Sequence, residues 1–259
     1  MKVIPRWRRK PPDETAGQMT LIDHLRELRH RLIVSLWALV GASLFAFLLY
    51  KPAMRLMLHP YCGYLAEHPE KAPFESGCKL VFLGAVDGFL VTMKVIAFLA
   101  LVIALPVVLY QLWAFIVPGL TERERRWAIP FVALAVLMFV FGGVIAYLVL
   151  PPSLTFLLGA GGDFVSPLLT VDRYLGFVIF MVLAFGLGFE IPTLLIALSA
   201  AGVLPVALLR KYRRYAILAL AIFAAVITPG TDPVSMLALF VPLVVLYEAA
   251  IIVARSIGR

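Results

Sequence analysis

Ala128–Leu150, AIPFVALAVLMFVFGGVIAYLVL, runs for 23 residues without one charged side chain. As a helix it covers about 35 Å at 1.5 Å per residue, more than the roughly 30 Å hydrocarbon core of a bilayer. A run that is apolar all round has no face to offer water, so it reads as a membrane-spanning helix. The rest of the chain agrees, with 63% hydrophobic residues, 15% charged residues and a mean hydropathy of +0.99. That is more apolar surface than a soluble core of 259 residues can bury. The expected fold class is an all-α integral membrane protein.

Outward from this run, five further apolar segments can be drawn, at 32–50, 89–117, 174–201, 215–228 and 234–254. The run 89–117 is long enough to require a tilt or a bend, for which Pro106 is the natural place. The 215–228 segment, with about 14 residues and roughly 21 Å, is short for a span. The expectation is therefore six spans with a short fifth and sixth, in one domain over residues 19–254. A disordered basic tail is expected at 1–18 and a short cytoplasmic tail at 255–259. Arg6, Arg8, Arg9 and Lys10 lie too far from Leu32 to be the basic start of a cleavable signal.

The bases give the orientation. With both termini inside, 17 of the 23 Lys and Arg residues fall in the cytoplasm. The net charge of +8 is spread along span ends rather than interleaved with aromatics, which argues against nucleic acid as a partner. The largest extramembrane piece is then an outside loop from Lys51 to Asp87, which holds Cys62 and Cys78. On an oxidising face the two can pair, closing a loop worth roughly 3 kcal/mol, or they can remain separate thiols.

Enzyme chemistry finds no foothold. Ser43 and Ser153 lack a nucleophile-elbow context, and His24, His30, His59 and His68 form no HExxH. No Cys/His set has metal-ligand spacing, and no cofactor is implied. Four carboxylates stand out instead. Glu27 lies in MTLIDHLRELRHRL (19–32), where Leu21, Leu25, Leu28 and Leu32 share one helical stripe and Glu27 falls opposite. It reads either as a solvated pair with Arg31, worth roughly 0.3–0.5 kcal/mol, or as an acceptor for an incoming guanidinium. Glu124, in GLTERERR, reads as part of a self-neutralising turn or as a second acceptor on the same side. Glu190 lies deep in the fourth segment, where an acid costs about 2.5–3.5 kcal/mol. It marks a functional site or partner contact, or is a protonated acid bonded to backbone freed by Pro192. Asp232, followed by Pro233, reads as a helix cap.

Several stretches together resemble the TatC family, the polytopic core of the twin-arginine protein translocase. They are DHLRELRHRL (23–32), LPVVLYQLWAFIVPGLTERERR (105–126), Ala146–Tyr147, YLGFVIFMVLAFGLGFEIP (174–192), ITPGTDPVS (227–235) and LYEAA (246–250). The resemblance runs over residues 21–254 and implies a six-span receptor in a bacterial or archaeal cytoplasmic membrane. Such a receptor binds signal peptides bearing consecutive arginines. With TatA and TatB type single-span subunits it passes folded proteins across the membrane on the proton-motive force, as a homo-oligomer within the complex. Carried over by motif, Glu27, Arg29, Phe115, Glu124, Arg125 and Arg126 fall on the signal-binding surface, and Glu190 matches an intramembrane glutamate. Pro60 matches a proline of the first outside loop, Phe89 and Lys94 the entry to the second span, and Asp232 an acid of the last outside turn. An ion-coupled secondary transporter using Glu190 as a proton site is the alternative, though no repeat between the two halves supports it.

Overall fold

The computed structural model describes residues 21–69, 78–116, 128–160, 168–200, 202, 204–228 and 232–257. Within them are seven helices: α1 (Leu21–Glu67), α2 (Asp87–Ile116), α3 (Ala128–Gly159), α4 (Val171–Ala200), α5 (Val206–Lys211), α6 (Arg213–Ile227) and α7 (Pro233–Ile257). Of these, α1, α2, α3, α4 and α7 are long and apolar enough to cross a membrane. Helix α6 has 15 residues and is not one of the five. Helix α7 has 25 residues, about 37 Å, so the expectation of a short sixth span is corrected. The tail at 1–18 lies outside the described residues.

Helix α4 organises the bundle, packing against α1, α2, α3 and α7. Half of its most apolar stretch is buried inside the protein, against 11% for α1. Its closest neighbour is α3, and small residues allow the approach. A Cβ on Gly142 would stand 2.6 Å from the Phe185 carbonyl oxygen, and one on Gly186 2.6 Å from the Phe139 ring. Between helices that both face lipid, such close backbone contact replaces the hydrophobic drive that water would supply.

The elements alternate in direction. His24 of α1 stacks on Phe115 of α2, and Trp113 of α2 on Phe131 of α3. Phe131 joins Ile196 and Ala197 of α4 and Ala250 of α7 in one buried cluster. At the opposite end the Val171 amide donates to the Val81 carbonyl, bringing the 78–86 connection against the start of α4.

The expected outside loop is where sequence and structure differ most. Residues 51–67 are not loop but a continuation of α1, which runs for 47 residues with Pro52 and Pro60 inside it. Pro60 has no N–H for the Leu56 carbonyl, which would normally leave a helix broken there. The Tyr147 hydroxyl of α3 donates to that carbonyl instead, at 3.1 Å, and the Tyr174 hydroxyl of α4 donates to the Met57 carbonyl at 2.7 Å. Met57, Tyr61, Tyr64 and Leu65 meanwhile bury one helical stripe against the core. Tertiary contacts therefore carry the helix past a residue that local propensity would read as its end.

Candidate functional site

The start of α1 and the end of α2 are joined by a polar cluster. Arg31 Nε and Nη2 both donate to Glu27 Oε1, at 3.0 and 2.5 Å, and Arg31 Nη1 donates to Gln111 Oε1 at 3.2 Å. Both charged side chains are 21% exposed, so this is not the solvated pair that the helical wheel suggests. The faces are reversed: Leu25, Leu28 and Leu32 point outward, and Glu27 turns toward α2. In water an amphipathic helix hides its leucines, but at a membrane the leucines have somewhere apolar to go and the polar side is folded in.

The arrangement leaves Glu27 half-used. Arg31 engages one oxygen only, and Glu27 Oε2 is buried without a hydrogen-bond partner among the described residues. A carboxylate offers about four acceptor sites, and a guanidinium can satisfy both oxygens at once. Gln111 fixes the far side of Arg31, which in turn holds Glu27 in its rotamer. His24 and Phe115 close one flank with rings 4.6 Å apart. Arg29 is exposed. Glu124, Arg125 and Arg126 lie outside the described residues.

Sequence reasoning passed over Gln111 and Arg31 as site residues. The signal for Gln111 was available: it is one of two glutamines in a chain without asparagine, and it sits inside an apolar run. An amide at that depth must find a partner on another helix.

The opposite face of the same end of α2 lines a second feature. Leu109, Leu112 and Trp113 form one wall of a cavity of about 220 Å³, with Ala135 of α3 and Glu190, Thr193 and Leu194 of α4 completing it. Glu190 Oε1 is buried and has no hydrogen-bond partner among the described residues. So α2 touches Glu27's cluster through Gln111 and Glu190's cavity through the adjacent Leu112 and Trp113.

The remaining candidates gather at the other end. The Lys94 ammonium of α2 pairs with the Asp172 carboxylate in the first turn of α4. Asp172 was left without a role in the sequence reading, since one charge gives no clue to a partner 78 residues away. Phe89 is exposed, while Pro60 is buried inside α1 rather than in a loop. Cys62 and Cys78 are bonded to each other, with Cα atoms 5.2 Å apart. Asp232 is fully buried and accepts from the Ser235 amide at 2.7 Å and from the Ser235 hydroxyl, as a cap at the start of α7 does.

The comparison with known families decides what this architecture is. A family model described as Sec-independent protein translocase protein (TatC) matches residues 23–242. This chain belongs to the TatC family. The Sec-independent protein translocase protein TatC of Frankia casuarinae is 42% identical over 240 residues, covering 92% of this chain and 66% of that relative. The chain thus spans slightly under two thirds of the Frankia protein. TatC of Aquifex aeolicus is 36% identical over 244 residues, 93% of this chain and 97% of the relative. The crystal structure of a twin-arginine translocase receptor, TatC, superimposes with a TM-score of 0.71 at 36% identity, over 91% of this chain and all of that one. Like these relatives, this TatC-family protein is a multi-pass, all-helical membrane protein.

Proposed function

We propose that this chain is the receptor of a twin-arginine translocase, crossing a cytoplasmic membrane six times with both termini on the inner side, α6 being the short fifth span. Signal peptides dock at the inner end of α1 and α2, where Glu27 and Glu124 each accept one of two consecutive arginines. TatA and TatB type single-span subunits act with several copies of this chain to move folded cargo on the proton-motive force. Its role is recognition and scaffolding rather than a catalytic step.

The observation that carries this reading is the idle oxygen of Glu27, buried beside an arginine that is itself pinned by Gln111. Arg31 prepositions the carboxylate without exhausting it, so an incoming guanidinium meets a fixed acceptor. Hydrogen bonds to a charged group contribute about 1.5–3 kcal/mol, well above the ~0–1 kcal/mol of an exposed ion pair. Lysine in the signal, a single point charge, cannot reproduce the planar contact. The basic surroundings oppose long-range steering of a cationic peptide, so contact is short-ranged and the signal's apolar stretch adds affinity along the outward leucines of α1. Glu190, in its cavity, serves partner contact rather than signal binding.

Photo-crosslinkers placed at positions 27 and 124 test the site. Both are expected to label the arginine pair of an added signal peptide, and labelling should fall when the pair is Lys-Lys. Labelling from neither position, with the signal captured instead at the Lys94 and Asp172 end, would remove the proposal.

A further inference from the structure

A second cavity, of about 630 Å³, opens between α4, α5, α6 and α7 and takes no part in the proposed docking of signals. Its walls are apolar and aromatic, with Leu195, Leu208, Tyr212, Tyr215, Phe223 and Tyr247 among them. Cations border two of its rings. The Lys211 ammonium lies over the Tyr212 ring at 5.7 Å, and the Arg214 guanidinium over the Tyr215 ring at 4.8 Å. Two rings that wall the groove thus carry cations as well. Arg210 belongs to the same segment. Of these four neighbouring cations only Arg213 has a carboxylate partner among the described residues, Glu248 at 2.5 Å.

We infer that this groove is a binding site for an anionic glycerophospholipid, with an acyl chain between α4 and α6 and the phosphate at Lys211 and Arg214. A free inorganic anion would satisfy the cations but leave the apolar walls empty. An apolar helix of another subunit would fill the walls but leave the cations without a counter-charge. A phospholipid does both, and basic pockets between membrane helices are where anionic headgroups are selected. The length of α6 adds a separate reason. On the proposed reading of α6 as the short fifth span, its 15 residues cover about 22 Å of a core of about 30 Å, a mismatch that local thinning of the bilayer relieves by letting headgroups reach deeper beside it. Tyrosines at the level of the headgroups complete an interfacial rim.

The test uses the full chain in phosphatidylcholine nanodiscs doped with a diazirine-bearing phosphatidylglycerol or, in parallel, the matching phosphatidylcholine probe. Labelling of the 204–223 segment is expected to favour phosphatidylglycerol by about fivefold or more, the preference of roughly one cation at a membrane surface. The double variant Lys211→Gln/Arg214→Gln should bring it down to the phosphatidylcholine level, while Lys211→Arg/Arg214→Lys keeps the preference. Ala219→Trp, which fills the groove from an exposed position, should reduce labelling by both probes. Thermal unfolding of each variant separates a lost site from a lost fold. Equal labelling by the two probes in the unaltered chain, or a phosphatidylglycerol preference untouched by removing both cations, overturns the inference. So does chain-to-chain crosslinking within the groove, which would assign it to a second copy or a partner helix.

Discussion

The two ends of the bundle are built to different rules. At the end carrying Cys62, Tyr147, Tyr174 and Asp232, the parts that local chemistry would leave loose are tied down. The carbonyl orphaned by Pro60 takes a hydroxyl, the cap of α7 is buried and bonded, and a disulfide joins the extension of α1 to the loop after it. The buried groups there that lack a hydrogen-bond partner among the described residues, on Tyr64 and Ser153, are neutral hydroxyls. At the end carrying Glu27 and Glu190, each of two carboxylates keeps a buried oxygen without a partner among the described residues, and leucines face outward. Leaving a carboxylate oxygen unpaired is far costlier than leaving a hydroxyl so. One end is tied together by its own chain, while the other, on the function proposed above, keeps acceptors for a ligand.

Four variants would break or sharpen that contrast. The largest effect is expected from Cys62→Ser with Cys78→Ser, which should cost about 3 kcal/mol of stability in denaturant unfolding and leave affinity for a signal peptide unchanged. A comparable loss of binding would show that the two ends are coupled rather than separate. Glu27→Gln should do the reverse, weakening binding of an Arg-Arg signal about tenfold to a hundredfold, equivalent to about 1.5–3 kcal/mol, with unfolding little altered. Tyr147→Phe leaves the Leu56 carbonyl unpaired and should cost about 1 kcal/mol of stability, with binding intact. If the variant is as stable as the parent, the account of how α1 passes Pro60 is wrong. The smallest effect is expected for Gln111→Leu, which frees the far side of Arg31 and should weaken signal binding by about threefold, less than one charge-assisted hydrogen bond because Gln111 acts on Glu27 only through Arg31.

The long helices were legible because bilayer thickness imposes a length on each apolar run. The segments expected at 89–117 and 174–201 appear as Asp87–Ile116 and Val171–Ala200. The continuation of α1 to Glu67 was not legible, since prolines at 52 and 60 argue locally for a loop, and what outweighs Pro60, the Tyr147 hydroxyl and the buried stripe of Met57, Tyr61, Tyr64 and Leu65, comes from packing. The stripe of Leu25, Leu28 and Leu32 was read correctly as a stripe, but the face opposite it was given to solvent, and the structure reverses the two. Periodicity gives the angle between apolar and polar faces, and the solvent decides which one turns inward. Glu27 could be picked out from its motif, whereas its dependence on Gln111, 84 positions away, needed the packing of α1 on α2.

The central claim is that the idle oxygen of Glu27 receives an arginine of the signal, and a double-mutant cycle reads that contact directly. Signal-peptide affinity would be measured for the parent and Glu27→Gln, each with an Arg-Arg signal and with one arginine replaced by lysine. The account predicts a coupling of about 1–3 kcal/mol for one of the two arginines. Additivity within about 0.5 kcal/mol for both would contradict it.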